Sequence, residues 1–460
     1  MAIHDEVTGS CILVIVKFPD GRTLRFVVDC GLFQEKEYDE LNSVLPFNAE
    51  SVDFCLVTHV HVDHIGRLPY MVHKGFFRPI YATKTTCKLL PLALNDSVKV
   101  LSSVSKRKNV KCLYSEQDVE QTLNLLKPCK YNETIQVNEN VKVTFLNNGH
   151  LVGAALILVQ ISCYGYEDIN LLFTGDYNNK NMFFDVNLIP QWILELPLTV
   201  IQESTYGDMD SSEVHKCFKE NIKKCINEDG TVVALVFSLG RAQEILYDLK
   251  SMQKEGELDV QIPIYFDGKL AIKYTDLYIK DGLDIKEEMR DFLPQNLIFV
   301  NKASRSEVLE DTNKKIIVTT SGMGSYGPAQ RYIPEYISRE KVLIQFTGYT
   351  AEGTLGSRLK EAEVGEMVEV GGLVAKKTAD VEYTTEYSAH AKADEMIEFL
   401  KQFKNLKLVL VNHGESQTKN IFAERIANEV NTKRVGLLGR RYFFRVDPYG
   451  LVKTLSTKFE

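Results

Sequence analysis

The run His59-Val60-His61-Val62-Asp63-His64 constrains this chain more than any other segment. It follows Phe54-Cys55-Leu56-Val57, an apolar stretch of the length of a buried strand. His59 and His61 are two residues apart, so in extended backbone they project to the same side. Asp63 and His64 then lead through a turn into the next helix. Three imidazoles and a carboxylate within one short run form a dense, nitrogen-rich ligand set. Imidazole with carboxylate suits zinc, at ligand distances of about 2.0–2.2 Å. A lone histidine is ordinarily a core or surface residue, but a cluster at this spacing points to a metal-dependent hydrolase.

The other histidines sharpen this reading. The chain has nine, at 4, 59, 61, 64, 73, 150, 215, 390 and 413. His150 follows the turn Asn147-Asn148-Gly149, and His413 follows the apolar run Leu408–Val411. His390 lies in Tyr387-Ser388-Ala389-His390-Ala391, and Asp176 in Thr174-Gly175-Asp176-Tyr177. Each is a ligand-capable side chain placed at a strand end. His4, His73 and His215 have no such setting and read as structural or exposed.

Bulk properties set the frame. A chain of 460 residues exceeds one simple core and predicts two or three domains. Its 44% apolar and 25% charged residues fit a soluble globular protein. No apolar run approaches the ~18–20 residues that span a bilayer, and the first residues show no signal-peptide pattern. The nine cysteines are scattered and include no C-x-x-C pair, which argues against a disulfide framework or a thiolate zinc site. Reduced cysteines and a cytoplasmic location are expected. A net charge of −8 argues against coating nucleic acid by bulk charge, but not against a local basic groove. Ser105-Lys106-Arg107-Lys108-Asn109 is a candidate guide of that kind, although such runs are usually solvated surface.

The element pattern changes along the chain. The first half reads as short strands, beginning with a hairpin of 11–18 and 23–30 about Pro19-Asp20-Gly21. Further strands are expected at 51–58, 141–146, 154–163 and 169–174, with a capping-box helix opening at Ser115. From 231 the chain alternates strand and helix, with strands at 231–237, 261–266, 297–300 and 315–320 and helices from Gly240 and Lys269. That alternation predicts a parallel α/β domain. Two late apolar strands follow, at 341–346 and 407–411. There is no internal repeat and no obvious linker, so the domains are expected to interleave.

At these residues the sequence resembles the metallo-β-lactamase superfamily, whose signature is H-x-H-x-D-H, and more closely its β-CASP nuclease branch. That branch includes the cleavage-and-polyadenylation and Integrator endonucleases. Glu6–Ser10 is similar to the N-terminal strand signature, and Asp29-Cys30-Gly31 to the motif whose aspartate supports the metal loop. Gly149-His150 and Gly175-Asp176 resemble the next ligand motifs. Glu203-Ser204-Thr205-Tyr206-Gly207 resembles motif A, Ser388–Ala391 motif B, and Asn412–Glu415 motif C. Gly240–Glu244, Pro263–Asp267 and Ser321–Gly324 resemble the inserted domain, and Gly348–Gly356 its exit. Lys392 departs from the small or acidic residues common after motif B. The chain ends soon after motif C, so neither an N-terminal KH extension nor a further C-terminal domain is expected.

The resemblance implies an αββα sandwich with an inserted parallel α/β β-CASP domain. The sandwich would take residues 1–205, the insert 206–345, and the returning part with a tail 346–460. It also implies two zinc ions. His59, His61 and His150 would hold one, Asp63, His64 and His413 the other, and Asp176 would bridge. Two metals roughly 3.5–4 Å apart can ionise a shared water and neutralise phosphate oxygens. His390 is the candidate proton donor to the leaving oxygen, with Glu203 orienting it; the competing reading is a purely structural pair between domains. Asp29 is expected to orient the ligand loop rather than bind metal. Ser321, Gly322 and Gly324 are candidate phosphate contacts through backbone N–H groups, with a plain turn as the competing reading. Arg241 is a candidate contact to phosphate or a prop of the domain interface. A histidine at motif C goes with RNA in this family, so the expected substrate is single-stranded RNA, cut endo- or 5′-exonucleolytically; a homodimer is compatible. The rivals are an ester or thioester hydrolase of the plain fold, which lacks the insert, and a non-catalytic RNA-binding paralogue, which loses ligands.

Overall fold

The computed structural model describes residues 8–34, 36–280, 283–348, 350, 353–439, 442–446 and 452–456, without the side chains of 36, 37 and the last two segments. His4, Glu6 and Val7, and Tyr349, Ala351 and Glu352 of the 348–356 run, lie outside the described residues. By its contacts the chain forms two compact units, Met1–Ser211 with His390–Glu460, and Ser212–Ala389.

The first unit is built on two sheets. One orders the strands Ile12–Lys17, Thr23–Val28, Phe54–Leu56, Ile80–Thr83 and Leu126–Cys129. Its first pair is the antiparallel hairpin, closed where Gly21 N donates to Phe18 O at 3.0 Å. The other orders Val435–Leu437, Leu406–Asn412, Leu198–Glu203, Ile169–Phe173, Ala155–Ile161, Val141–Asn147 and Thr134–Asn138. Ile157, Val159 and Ile161 enter the core between the sheets, where Phe26 stacks on Phe54 at 4.9 Å between ring centroids. Leu156 and Leu158 point the other way, to helices Ala393–Lys401 and Ser416–Glu429 through Met396, Ile397, Leu400 and Phe422. A strand covered on both faces has no need of polar alternation, which is why this stretch reads as a continuous apolar run. The layers are those of an αββα sandwich.

Leu198–Glu203 pairs in parallel with Leu406–Asn412, Glu203 opposite Asn412. Two strands more than two hundred residues apart in sequence are thus neighbours, with their carboxyl ends side by side. Ile169–Phe173 runs parallel to them, and Val141–Asn147 shares that direction through the antiparallel Ala155–Ile161. Carboxyl ends of strands gathered at one edge are where α/β folds place their sites.

The second unit holds a six-stranded sheet, all of its pairings parallel. Its order is Leu297–Val300, Ile264–Asp267, Lys315–Thr319, Thr231–Leu235, Val342–Phe346 and Asp380–Tyr383. The expected strand–helix alternation is present, with helices Arg241–Lys254 and Lys269–Ile279 following their strands.

The contact boundaries differ from those read in the sequence. The chain leaves the first unit at Ser211 rather than 205, because Ser211 N donates to Asp394 Oδ1 at 2.9 Å. It returns at His390 rather than 346, because Asp380–Tyr383 adds a parallel strand to the second sheet and Tyr383 stacks on Phe346 at 4.9 Å. Several elements had no sequence expectation: seven strands of the first unit (Ile80–Thr83, Leu126–Cys129, Thr134–Asn138, Leu198–Glu203, Val435–Leu437, Tyr442–Val446 and Val452–Ser456), the hairpin Met367–Val370 with Leu373–Lys376, and the helix Lys84–Lys108. That helix carries the basic run, and Lys108 pairs with Asp39 at 2.6 Å. Among the described residues no helix is long and apolar enough to cross a membrane.

Candidate metal centre

The strand Phe54–Leu56 leads into Thr58, His59 and His61, the last in extended backbone, and the short helix Val62–Ile65 that follows carries Asp63 and His64. His150, Asp176 and His413 follow the strands ending at Asn147, Phe173 and Asn412. The seven side chains form two groups, His59, His61, His150 and Asp176, and Asp63, His64, Asp176 and His413. Within each group the ligand-capable atoms lie within 4.8 Å of one another.

His61 turns Nδ1 to His59 Nε2 and to His150 Nε2, each at 3.1 Å. Asp176 Oδ2 lies 3.4 Å from His59 Nε2 and 3.5 Å from His150 Nε2. In the second group Asp176 Oδ1 lies 3.1 Å from His64 Nε2 and 3.4 Å from His413 Nε2, and Asp63 Oδ2 is 3.7 Å from both nitrogens. Asp176 thus gives one oxygen to each group.

The surroundings fix which nitrogen each ring offers. His64 Nδ1 donates to Asp29 Oδ2 at 2.8 Å, which leaves Nε2 free to coordinate. Thr58 Oγ1 donates to the same Asp29 oxygen at 2.7 Å, so its lone pair accepts from His59 Nδ1 at 3.0 Å. One carboxylate therefore sets a ring in each group. Asp29 holds a left-handed backbone, φ 59°, as does His413, φ 51°. Such conformations cost non-glycine residues energy and cluster at functional sites. Gly31 carries no side chain for a steric reason: a Cβ there would lie 1.5 Å from Asp63 O.

Burial pushes His59 down to about 3, His61 to about 4 and His150 well below the ordinary imidazole value. All three are neutral at physiological pH, the form that coordinates. Burial acts the same way on His64, but the Asp176 and Asp29 carboxylates outweigh it and raise that ring. Burial alone would raise Asp63 and Asp176; neighbouring His413 and His64 hold both low. Asp176 Oδ1 is buried and has no hydrogen-bond partner, an arrangement that is costly unless a cation satisfies it. Converging nitrogens, anionic oxygens and that oxygen fit divalent metal.

At the rim, His390 Nδ1 lies 3.0 Å from both carboxylate oxygens of Glu203, and its Nε2 is 3.9 Å from Asp176 Oδ2. Glu203 is itself held by Tyr177 N and Thr205 N. Burial opposes charging of His390, but the Glu203 carboxylate prevails and its pKa is raised. Lys392, buried at 3% exposure, sets its Nζ 3.3 Å from the centre of the Tyr206 ring, which lies 6.2 Å from the His390 ring. Sequence reasoning passed over Lys392, Thr58, Asn148 and Thr205. The first departs from the related motifs, Thr205 lies within the motif A stretch, and no signal in a single sequence marks the other two. Asn148 ties the His150 turn to the Asp176 loop, accepting from His150 N at 3.1 Å and donating to Asp176 O at 2.8 Å.

The remaining candidates lie in the second unit. Arg241 is buried, with Nη1 donating to Thr347 O, Nε to Glu244 at 3.2 Å, and its guanidinium over the Tyr387 ring. Ser321 N donates to Tyr326 O and Gly324 N to Ser321 O, so two of that loop's N–H groups close a turn. His73 bonds Asp118 at 3.3 Å, and His215 is exposed.

Sequence profiles match the same regions. The metallo-beta-lactamase superfamily domain matches residues 16–185, the Beta-Casp domain 242–359, and the Zn-dependent metallo-hydrolase RNA specificity domain 375–435. A ribonuclease of Thermus thermophilus is 30% identical over 448 residues, 94% of this chain and 96% of its own. The chain belongs to the β-CASP family of metallo-β-lactamase-fold proteins. Other β-CASP relatives include an RNase J-like protein of Methanocaldococcus jannaschii, 29% identical over 92% of this chain and 93% of its own. A cleavage and polyadenylation specificity factor subunit 3-I of Arabidopsis thaliana is 29% identical over 93% of this chain and 61% of its own.

Proposed function

We propose that this β-CASP protein is a zinc-dependent ribonuclease that hydrolyses RNA phosphodiester bonds at a two-cation centre. The observation that carries the reading is Asp176, whose two oxygens serve two ligand groups beside the Glu203–His390 pair. His59, His61 and His150 would hold one zinc, Asp63, His64 and His413 the other, with Asp176 shared. When bound, the ions supply Lewis acidity toward phosphate oxygens and lower the pKa of a water to about 7.

The rest falls to the chain. Asp29, through Thr58 and directly, keeps His59 and His64 in the tautomer that presents Nε2. Glu203 accepts from His390 Nδ1, so the proton available for transfer sits on Nε2, the nitrogen nearer Asp176. The Glu203 carboxylate raises the pKa of His390, which favours holding that proton for the departing sugar oxygen. RNA as substrate is supported by the names of the relatives and by the RNA specificity profile over His390 and His413. All nine cysteines are free, which suits a cytoplasmic setting.

The purified chain is expected to carry about two zinc equivalents and to cleave single-stranded RNA, with loss of cleavage on chelation. Circular RNA beside 5′-phosphorylated and 5′-hydroxyl linear RNA separates endo- from 5′-exonucleolytic cutting. Zinc-loaded protein that spares RNA but hydrolyses a thioester or β-lactam would refute the proposal.

A further inference from the structure

The end of one strand holds two of the site's histidines. Glu203 takes His390. The next residue, Ser204, donates from N to His413 O at 2.9 Å and from Oγ to Asn412 O at 3.0 Å. The third, Thr205, places Oγ1 3.2 Å from His413 Nδ1. The backbone packing is close enough that a Cβ on Gly414 would lie 2.5 Å from Ser204 Oγ. His413 is thereby kept in its left-handed conformation, with Nε2 facing His64 Nε2 at 3.3 Å and Asp176 Oδ1 at 3.4 Å.

For Nε2 to carry a lone pair into the site, the proton of a neutral ring must sit on Nδ1. The Thr205 hydroxyl oxygen is positioned to accept it. Thr58 does the same for His59. The two groups are thus served by different threonines, one on the motif loop and one on the strand end that also carries Glu203.

We propose that Thr205 is a positioning residue that fixes His413 as its Nδ1–H tautomer and so controls occupancy of the Asp63–His64–His413–Asp176 cation set selectively. The proposal rests on the two-cation reading. Partners of this kind around a metal-binding histidine are worth about 10–100-fold in affinity.

The test is a zinc titration of the full chain in competition with a chromophoric chelator. The parent gives two binding steps. Thr205→Val weakens one of them by about 10–100-fold and leaves the other within about threefold. Thr205→Ser, which keeps the hydroxyl, stays within about threefold of the parent in both steps, and excess zinc restores RNA cleavage by the valine variant. Thr205→Ala removes the hydroxyl without adding bulk and decides the matter where valine does not fold. Loss of neither step, equal weakening of both, or a serine variant as weak as valine overturns the proposal. A parent that takes up fewer than two zinc ions overturns the two-cation reading itself, and this one with it.

Discussion

Replacing Gly31 with alanine puts a single methyl group against the metal loop from behind. The added Cβ would lie 1.5 Å from Asp63 O, 1.9 Å from Asp63 C and 2.6 Å from His64 N. Ordinary contact begins near about 3.4 Å, so the backbone of Asp63 must retreat by about 2 Å. That retreat is resisted, because Ser10 N donates to Asp63 O at 2.8 Å and Cys30 N to His64 O at 2.7 Å. Two strained or broken hydrogen bonds at about 1 kcal/mol each, plus about 1–3 kcal/mol of overpacking, set a cost of about 3–5 kcal/mol on the native loop. Asp63 and His64 belong to the same cation group, and a displacement of even ~1 Å at a reacting centre can cost ~100-fold in rate. Gly31→Ala is therefore expected to lose zinc from that group and at least ~100-fold of RNA cleavage. Metal content by mass spectrometry, cleavage of a labelled oligoribonucleotide and a thermal melt measure the three effects. A variant that retains two zinc ions and cuts within about threefold of the parent would show that the loop does not depend on that close approach.

Other expectations follow from single contacts. Glu203→Gln leaves His390 without its anionic acceptor; zinc content and KM stay near those of the parent while kcat falls by about 10²–10³, and an unchanged kcat would remove Glu203 from the proton-transfer role. Lys377, buried at 5% exposure, donates from Nζ to Leu359 O and Ala362 O at the end of helix Leu355–Glu361. Lys377→Met leaves those carbonyls unsatisfied and should lower the denaturant stability of the second unit by about 1–3 kcal/mol, with cleavage near parental per folded molecule. Asp118 completes the capping box of helix Glu116–Asn124, and although burial alone would raise it, bonds from Ser115 hold its pKa below the ordinary carboxylate value. A carboxyl with a depressed folded pKa stabilises above its unfolded value and loses that contribution as pH falls. The ~1 kcal/mol deficit expected of Asp118→Asn at pH 7 should therefore shrink below about pH 4, and a deficit constant from pH 7 to pH 2 would contradict the capping account.

What the sequence made legible was whatever depends on local spacing or on the ends of apolar runs. His59, His61, Asp63 and His64 are adjacent in the chain, so their convergence follows almost from backbone geometry. His150, Asp176 and His413 stood out because each follows a run that could only be a buried strand. The parallel insert showed through alternation. What stayed hidden depends on which strands are neighbours, as in the parallel pairing of Glu203 with Asn412 that brings Thr205 to His413. Thr58 and Asn148 act through one hydrogen bond each, and threonine or asparagine beside a histidine carries no signature alone. Arg241 read equally well as a phosphate contact because charge is visible in sequence and carbonyl partners are not. The contact boundaries differ from those read in the sequence because Asp380–Tyr383 is a short, half-exposed edge strand with little apolar signal.

The interleaving of the two units has a consequence for how the protein is made. Four ligands of one group, His59, His61, His150 and Asp176, emerge from the ribosome before residue 212, but His390 and His413 follow only after the whole second unit. A nascent or prematurely released chain can therefore bring together all of one side-chain group, but lacks His390 and the His413 of the other group. Strand Leu198–Glu203 has to wait, its edge unpaired on one side, for Leu406–Asn412 to arrive. Translation order thus delays assembly of the full cluster until the whole second unit has been made.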